Sequence, residues 1–324
     1  MAVDEFLLGR REAISFSDAE GTYGTAGTLI ERLGRNAQID PSKNSQNWTE
    51  IRGAATNSLN PGSFELGQED FGGTLTFIPQ NWKFLKFVLL SAVSDVTDTD
   101  NTTYYTHTFT NGNSGLLPFT LERGIQTSGT DRVRTYEGCQ VNSFSLAWDA
   151  SGQGNFVTAA AEFFAEDANN GTSVTSLTAP STEGFKPRHV GLTLESTLVS
   201  NLKSGTFTVN NNLSDGRYAN FNLARLKGES VQLKRNFVLT AVVDTKDDTY
   251  WDAFDGGVVL TGTNKLVFDR GTNDELTITF GNAYLNTASD PTNLDGINQT
   301  TLNIVMDDAT FVVNDALSDY SAFT

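Results

Sequence analysis

The strongest constraint on this chain is internal: its second half repeats the order of elements found in its first. The first half runs through Phe71-Gly-Gly-Thr-Leu-Thr-Phe-Ile78, a short loop, the helix-like run Trp82 to Leu90, strands through Tyr105 and Phe119, and Gly138-Cys-Gln-Val-Asn-Ser-Phe-Ser-Leu-Ala-Trp148. The second runs through Phe237-Val-Leu-Thr-Ala-Val-Val243, a charged loop, Tyr250-Trp-Asp-Ala-Phe254, strands through Phe268 and Phe280, and Gly281-Asn-Ala-Tyr-Leu-Asn-Thr287. Each half closes on one more strand, Phe156 to Phe164 in the first and Thr301 to Met306 in the second. A duplicated β-rich unit with little catalytic equipment points to a part built for symmetric assembly.

Period-two alternation carries the fold prediction. Val157, Ala159, Ala161 and Phe163 share one strand face, Leu276, Ile278 and Phe280 another, and Leu302, Ile304 and Met306 a third. Thr, Asn and Glu fall mostly between them, as in antiparallel sheets with one covered face. Phe144, Leu146 and Trp148 lie on one face of their strand and Cys139 and Val141 on the other, so that strand is expected to be covered on both sides. The best helix is Trp82 to Ala92, where Trp82, Leu85, Val88 and Leu89 recur at helical spacing and Lys83 and Lys86 fall opposite. A shorter acidic helix is expected over Asp247 to Asp255, capped by Asp247 or Asp248 and ended by Gly256 and Gly257. The predicted fold is therefore α+β but mostly antiparallel β, with two tandem copies of a sandwich or rolled sheet, each flanked by a helix.

The polar, nearly uncharged stretch Asn169 to Gly184 is the natural linker. It divides the chain into a first domain, 1–168, whose N-terminal part is a Gly-rich arm or loop, and a second, 185–324, with a C-terminal tail. The Gly-rich stretch Glu20 to Gly27 is not a phosphate loop, because no Gly-Lys-Ser/Thr follows it.

The 324 residues carry 22 Lys and Arg against 39 Asp and Glu. The balance divides as 11 − 19 = −8 for residues 1–165 and 11 − 20 = −9 for the rest, so the acidity belongs to both halves. Such a surface repels phosphates and anionic lipid, and contact with DNA is expected to be passage rather than adhesion. The single cysteine, Cys139, excludes an internal disulfide and reads as a small buried residue. The N-terminus lacks the basic and long apolar regions of a signal peptide, and no run is long and apolar enough to span a membrane.

For catalysis the sequence is close to silent. His107, within Tyr104-Tyr-Thr-His-Thr-Phe109, falls on a strand beside aromatics and reads as structural; His189 opens the strand Val190 to Leu194. No second His or Cys stands at zinc-ligand spacing. The acidic stretches Asp95 to Asp100 and Asp290 to Asp295 lack the Gly and terminal Glu of an EF-hand and read as solvated turns, with Ca²⁺ binding the alternative. No cofactor or metal site is expected. Arg123, Arg132 and Arg134 form the densest basic cluster, which is better explained by salt bridges to an acidic neighbouring subunit than by DNA binding.

At Thr22-Tyr-Gly-Thr-Ala-Gly27, Tyr105-Thr-His-Thr-Phe109, Pro118-Phe-Thr-Leu-Glu122 and above all Tyr136-Glu-Gly-Cys-Gln-Val-Asn-Ser-Phe-Ser-Leu146, the chain resembles the tail tube proteins of long-tailed viruses of bacteria and archaea. The resemblance covers most of residues 20–167. It implies neighbouring subunits whose sheets join around a lumen, in rings that stack into a tube through which viral DNA is delivered. Duplicated members form trimers with quasi-sixfold symmetry, and the repeat points to that type. The implied partners are further copies of the chain, tape measure, tail terminator and tail tip proteins, and passing double-stranded DNA. The implied location is the virion tail, assembled in the host cytoplasm. An acidic inner wall would leave DNA no well to stick in. Expected inter-ring contacts are Thr22, Tyr23, Gly24 and Thr25 in the arm and Leu317, Tyr320 and Phe323 near the C-terminus. The competing readings are the inner tube of a contractile tail or injection machine and a carbohydrate-binding or adhesin-like β-protein; an acid-residue glycosidase ranks last.

Overall fold

The computed structural model describes residues 12–41, 45–51, 63–90, 96–111, 115–127, 130–152, 155–214, 229–245, 255–257, 259–271, 273–289, 297–318 and 320. The first half contributes β1 (Glu12–Ala19), β2 (Leu29–Arg32), β3 (Arg35–Asp40), β4 (Ser45–Ile51), β5 (Ser63–Ile78), α1 (Leu85–Leu89), β6 (Val96–Asp100), β7 (Tyr105–Phe109), β8 (Phe119–Ile125), β9 (Arg132–Asp149), β10 (Thr158–Ala165) and β11 (Asp167–Gly171). The second contributes β12 (Val190–Leu194), β13 (Thr197–Leu198), β14 (Leu202–Asn210), β15 (Asn236–Asp244), β16 (Val259–Leu260), β17 (Lys265–Asp269), β18 (Glu275–Phe280), β19 (Ala283–Ser289), β20 (Gln299–Met306) and β21 (Ala309–Asp315).

All these strands pair antiparallel, in two sheets. The larger has the order β16-β19-β20-β15-β14-β9-β10-β5-β3, with β8, β1, β2 and β11 attached through β9 and β4 through β5. The smaller has the order β13-β12-β17-β18-β21-β7-β6. Both sheets cross from one half to the other, at β9·β14 and at β21·β7, so the halves share a continuous framework. The stretch read as a linker begins inside β11 and then lies against the first half. The Val174 N–H donates to Asp131, Thr175 donates to Glu122, and Gln80 donates to the carbonyls of Pro180 and Thr182.

The alternation read from the sequence holds. Ala159, Ala161 and Phe163, Leu276, Ile278 and Phe280, and Leu302, Ile304 and Met306 all point into the core. On β9 the residues Cys139, Val141, Phe144, Leu146 and Trp148 are buried on one and the same face, because the extra residue Asn142 shifts the alternation by one; the expected cover on both faces holds at Gln140 but not at Ser143, Ser145 and Ala147, which are only partly buried. Cys139 is free and buried, and burial pushes its thiol pKa up.

Within the larger sheet the two halves present the same four-strand order, β3-β5-β10-β9 and β14-β15-β20-β19. Their irregularities coincide as well. Asn142 is the extra residue where β9 meets β10, and Asn286 is the extra residue where β19 meets β20. The register also slips between Arg35 and Gln38 on β3 and between Leu202 and Ser204 on β14. Bulges re-aim strands at fixed positions and are built-in features rather than defects. The two quartets join through Ser143↔Asn210 to Asp149↔Ser204.

The helix departs from expectation. α1 is confined to Leu85–Leu89, preceded by i→i+3 bonds from Leu85, Lys86 and Phe87 back to Trp82, Lys83 and Phe84. Every residue of α1 is buried, Lys86 included, because the segment lies between layers instead of on a surface. At 2% exposure, the Lys86 ammonium sits 2.5 Å from Asp18 Oδ1, which supplies the counter-charge that burial demands. Asp247 to Phe254, the body of the second expected helix, lie outside the described residues. The stretch read as an acidic turn becomes β6 from Val96 onward.

Aromatic rings knit the α1 segment to the larger sheet, and Trp82 just before it meets Phe268 of the smaller one at 5.6 Å between centroids. Phe87 stacks on Phe119 at 4.3 Å between centroids and meets Phe16 and Phe84 edge-on, while Phe84 also touches Phe77. Replacing such a fully buried ring leaves a cavity that close-packed neighbours refill only in part. Phe87→Ala is expected to cost about 3–5 kcal/mol in a chemical denaturation experiment.

Candidate assembly interface

The arm expected at residues 20–27 folds down as a turn on the strand that carries the strongest motif. β1 ends at Ala19, and Glu20, 5% exposed, turns its carboxylate inward. Its Oε1 accepts hydrogen bonds from the Gly138 N–H at 3.0 Å and the Thr120 hydroxyl at 2.7 Å, and its Oε2 accepts from the Gly24 N–H at 3.0 Å. Thr25 N–H donates to the Thr22 carbonyl at 3.1 Å to close the turn. Gly138 has φ +64°, and a Cβ there would lie 3.1 Å from the Tyr23 ring and 2.9 Å from Glu166 Cβ. The position therefore needs glycine for both conformation and space. The stretches Thr22–Gly27 and Tyr136–Leu146, far apart in sequence, form one structural unit. Thr22 and Thr25 stay exposed; Tyr23 and Gly24 are half-buried.

This unit concentrates acid. Burial raises the Glu20 pKa against the opposing pull of its hydrogen-bond donors. Burial, then the neighbouring Glu20, Asp167 and Glu137 carboxylates, pushes Glu166 up to about 7. Tyr23 is held far above the usual phenol range by burial and by Glu166.

The arginines converge as expected, though not as free groups. β8·β9 sets Arg123 opposite Arg134 and Ile125 opposite Arg132, so all three lie on one face of the ladder. That face begins in the core at Leu121 and Tyr136 and runs out to an uncovered end. Arg123 donates to Glu12 Oε1 at 2.6 Å, Arg134 lies 5.9 Å from the Tyr136 ring centroid, and Arg132 is exposed.

The C-terminal set divides. Leu317 is 37% exposed, whereas Tyr320 is 1% exposed and packs wholly within its own chain; Phe323 lies outside the described residues. His107 is buried on β7 beside Tyr105 and Tyr320, in keeping with a structural role. His189 is half-buried in the 3-10 turn Pro187–His189, its pKa lowered by burial and by Arg188 and Lys186. Among the described residues no three His, Cys, Asp or Glu side chains converge to hold a metal, and no helix is long and apolar enough to cross a membrane.

Sequence reasoning did not find the most extended surface, the open face of the larger sheet. One row reads Gln38, Thr76, Ala160, Ser145, Thr208, Val238, Val305 and Tyr284. A second reads Thr158, Ala147, Thr206, Thr240 and Asn303. In a row that starts at Asp40 and Thr74, Glu162 is the carboxylate in the middle of the sheet, and it accepts from Asn142 Nδ2 at 2.9 Å. The face is thus a carpet of hydroxyl, amide and small apolar groups, with Asp40, Asp149 and Asp244 towards its margins. Among the described residues β3 pairs only with β5, and β19 beyond Leu285 pairs only with β20, which leaves the sheet with two free strand edges.

Long free edges are templates for further strands, and natural proteins cover them, charge them or use them. The architecture is therefore that of a β-protein with two free strand edges and one open sheet face among the described residues. Residues 9–311 match the model of the family described as phage tail tube protein, and the chain belongs to that family. Membership gives it a structural role in the virion tail, self-assembling into a tube. No curated protein matches the chain at a significant level.

The acid cluster under the arm has a consequence for stability. Glu166 is protonated more readily in the folded chain than at its ordinary value of 4.5, so its stabilising proton is fully present below that value and lost as pH rises through about 7. Glu166→Gln is expected to raise the thermal midpoint relative to the parent at about pH 8, with the gain vanishing near pH 4.5. Paired thermal melts across that range check it.

Proposed function

We propose that this chain builds rings of three copies, in which each copy fills two of six quasi-equivalent positions, and that the rings stack into the hollow tube through which viral DNA is delivered. The observation that carries this reading is the matched pair of quartets, β3-β5-β10-β9 and β14-β15-β20-β19, with bulges at Asn142 and Asn286. On this reading residues 1–168 and 185–324 are the two copies of the duplicated unit, with 169–184 as the connector.

In the chain, β9 of the first quartet pairs with β14 of the second. β14 occupies the place that β3 has in its own quartet, and β9 the place of β19. The free edge of β19 is then matched in kind to the free edge of β3 on another copy, and repeating the internal joint closes a barrel without leftover edges. Association of rings face to face is heterologous and does not close, which yields a filament.

The open face of the joined sheets is the natural lumen wall. Its hydroxyl and amide groups offer DNA phosphates no cationic well, and Glu162 adds a scattered repulsion. The wall is thus mainly neutral, and most of the chain's acid falls elsewhere. The exposed Thr22 and Thr25, with Leu317, serve as contacts between rings, and the arginine-bearing end of β8·β9 serves as a contact between subunits. Tape measure, terminator and tip proteins would set the length and ends of such a tube.

Negative-stain microscopy of the purified chain is expected to give hollow tubes or ring stacks with threefold averages. Six chains per ring would overturn the two-positions-per-chain reading. Monomers at every salt concentration would overturn assembly itself.

A further inference from the structure

The joint between the halves in the smaller sheet contains a group of ionisable residues that barrel assembly does not use. His107 on β7 is 0% exposed. Its Nδ1 lies 2.6 Å from Asp98 Oδ1 on β6, and its Nε2 lies 3.2 Å from Asp315 Oδ1 at the end of β21. Tyr320 covers the imidazole, with ring centroids 4.0 Å apart and planes 21° from parallel. The Tyr320 hydroxyl donates to Asp315 Oδ2 at 2.5 Å, and its backbone N–H donates to Asp98 Oδ2 at 3.2 Å. The same hydroxyl accepts from the Trp82 N–H at 3.2 Å. Both carboxylates are therefore shared between His107 and Tyr320. The five residues come from the loop before α1, from β6, β7 and β21, and from the segment that follows β21.

We infer that Asp98, His107, Asp315 and Tyr320 form a proton-operated clasp, which holds the β6–β7 hairpin and the segment after β21 onto the smaller sheet while His107 is an imidazolium and releases them when it is neutral. The donor and acceptor count is the first argument. Carboxylates only accept, and each ring nitrogen faces one, so both nitrogens must carry a proton for both contacts to be hydrogen bonds. A neutral imidazole keeps a lone pair on one nitrogen, which would then point at a carboxylate oxygen. The second argument is burial: a charged pair taken out of water is stable only while it is matched, and removing one partner leaves an uncompensated buried charge. Loss of the proton from His107 would leave the buried Asp315 carboxylate without its cation, and Asp98, which is more open to solvent, without its own.

The remaining charged and titratable neighbours do not reverse this. Tyr105, on the same strand, lies 6.4 Å away between ring centroids. Lys83 Nζ stands 5.9 Å from the Tyr320 ring centroid and is itself paired with Glu31 at 3.5 Å. Asp274 is felt by Asp315 from farther off and is occupied by Arg270. Burial and Asp315 hold the Tyr320 hydroxyl well above its ordinary value, so it stays a donor throughout the useful range. For His107, burial lowers the pKa and the two carboxylates raise it by more, leaving it above 6.5. A raised histidine value means that the clasp's contribution is complete below the unfolded value and is lost as pH rises through the folded one.

Hydrogen exchange read by mass spectrometry on the full chain tests the clasp, with rates corrected for intrinsic pH dependence. Peptides spanning 96–109 and 309–320 are expected to lose protection together as pH rises above the ordinary imidazole value of 6.5, about tenfold for each unit by which folding raises the His107 pKa. Peptides of the β14·β15 ladder provide the control and should not follow. In His107→Gln the two clasp peptides are expected to be less protected, with no pH step. Tyr320→Phe keeps the ring and removes the hydroxyl donor; it is expected to lower protection of 309–320 while keeping the step in 96–109, which retains a reading if His107→Gln fails to fold. A flat profile in the parent chain, or the same step in His107→Gln, would overturn the proposal. Because the measurement concerns a joint within one chain, its outcome is independent of ring size.

Discussion

One strand holds the architecture together. β9 runs for 18 residues, pairs with β8 and β11 along its first part, and pairs with β10 and β14 along its second. It therefore links the outer strands β1, β2, β8 and β11 to the eight-strand run of both quartets. That double service needs a change of direction in mid-strand, which Gly138 supplies with a left-handed φ that other residues adopt only under strain. Around the bend, the N–H of Gly138 is satisfied by Glu20, so the arm turn and the strand bend stabilise each other. The bulge at Asn142 keeps Cys139 and Val141 on the same covered face as Phe144, Leu146 and Trp148, which is why the apolar spacing along this strand changes by one residue there.

Assembly and packing make opposite demands on such a chain. The covered face of the larger sheet packs Phe, Leu, Ile and Val against α1 and the smaller sheet, while its open face is mostly Thr, Ser, Asn and Ala, with Val238, Val305 and Tyr284 together at one side and Glu162 in the middle. An open face of that composition is compatible with solvent and with a moving polyanion alike, since its central rows carry no cation. The free edges of β3 and β19 are what the proposed barrel would close.

Much of this was legible in the residues, and the failures have physical causes. Period-two alternation located β10, β18 and β20 because a half-covered strand must alternate. Helical spacing found the region of α1 but overstated its length and put Lys86 outside, because a periodic pattern does not reveal that a second layer covers the polar stripe. Asp98 read as part of a solvated turn, since its partner His107 is nine residues away and Asp315 more than two hundred. Tyr320 read as a terminal contact for the same reason: nothing local to it shows that it lies over His107 and bonds to Asp315.

By itself the sequence determined the predominance of antiparallel strands and the motif residues of the family, both of which are set by short-range pattern and composition. The tertiary structure decided which carboxylates are buried, which glycine bends β9, which edges stay free and which surfaces face solvent. Those outcomes depend on pairing between residues far apart in the chain. A sheet's register converts such pairs into neighbours, and no local pattern encodes the register on its own.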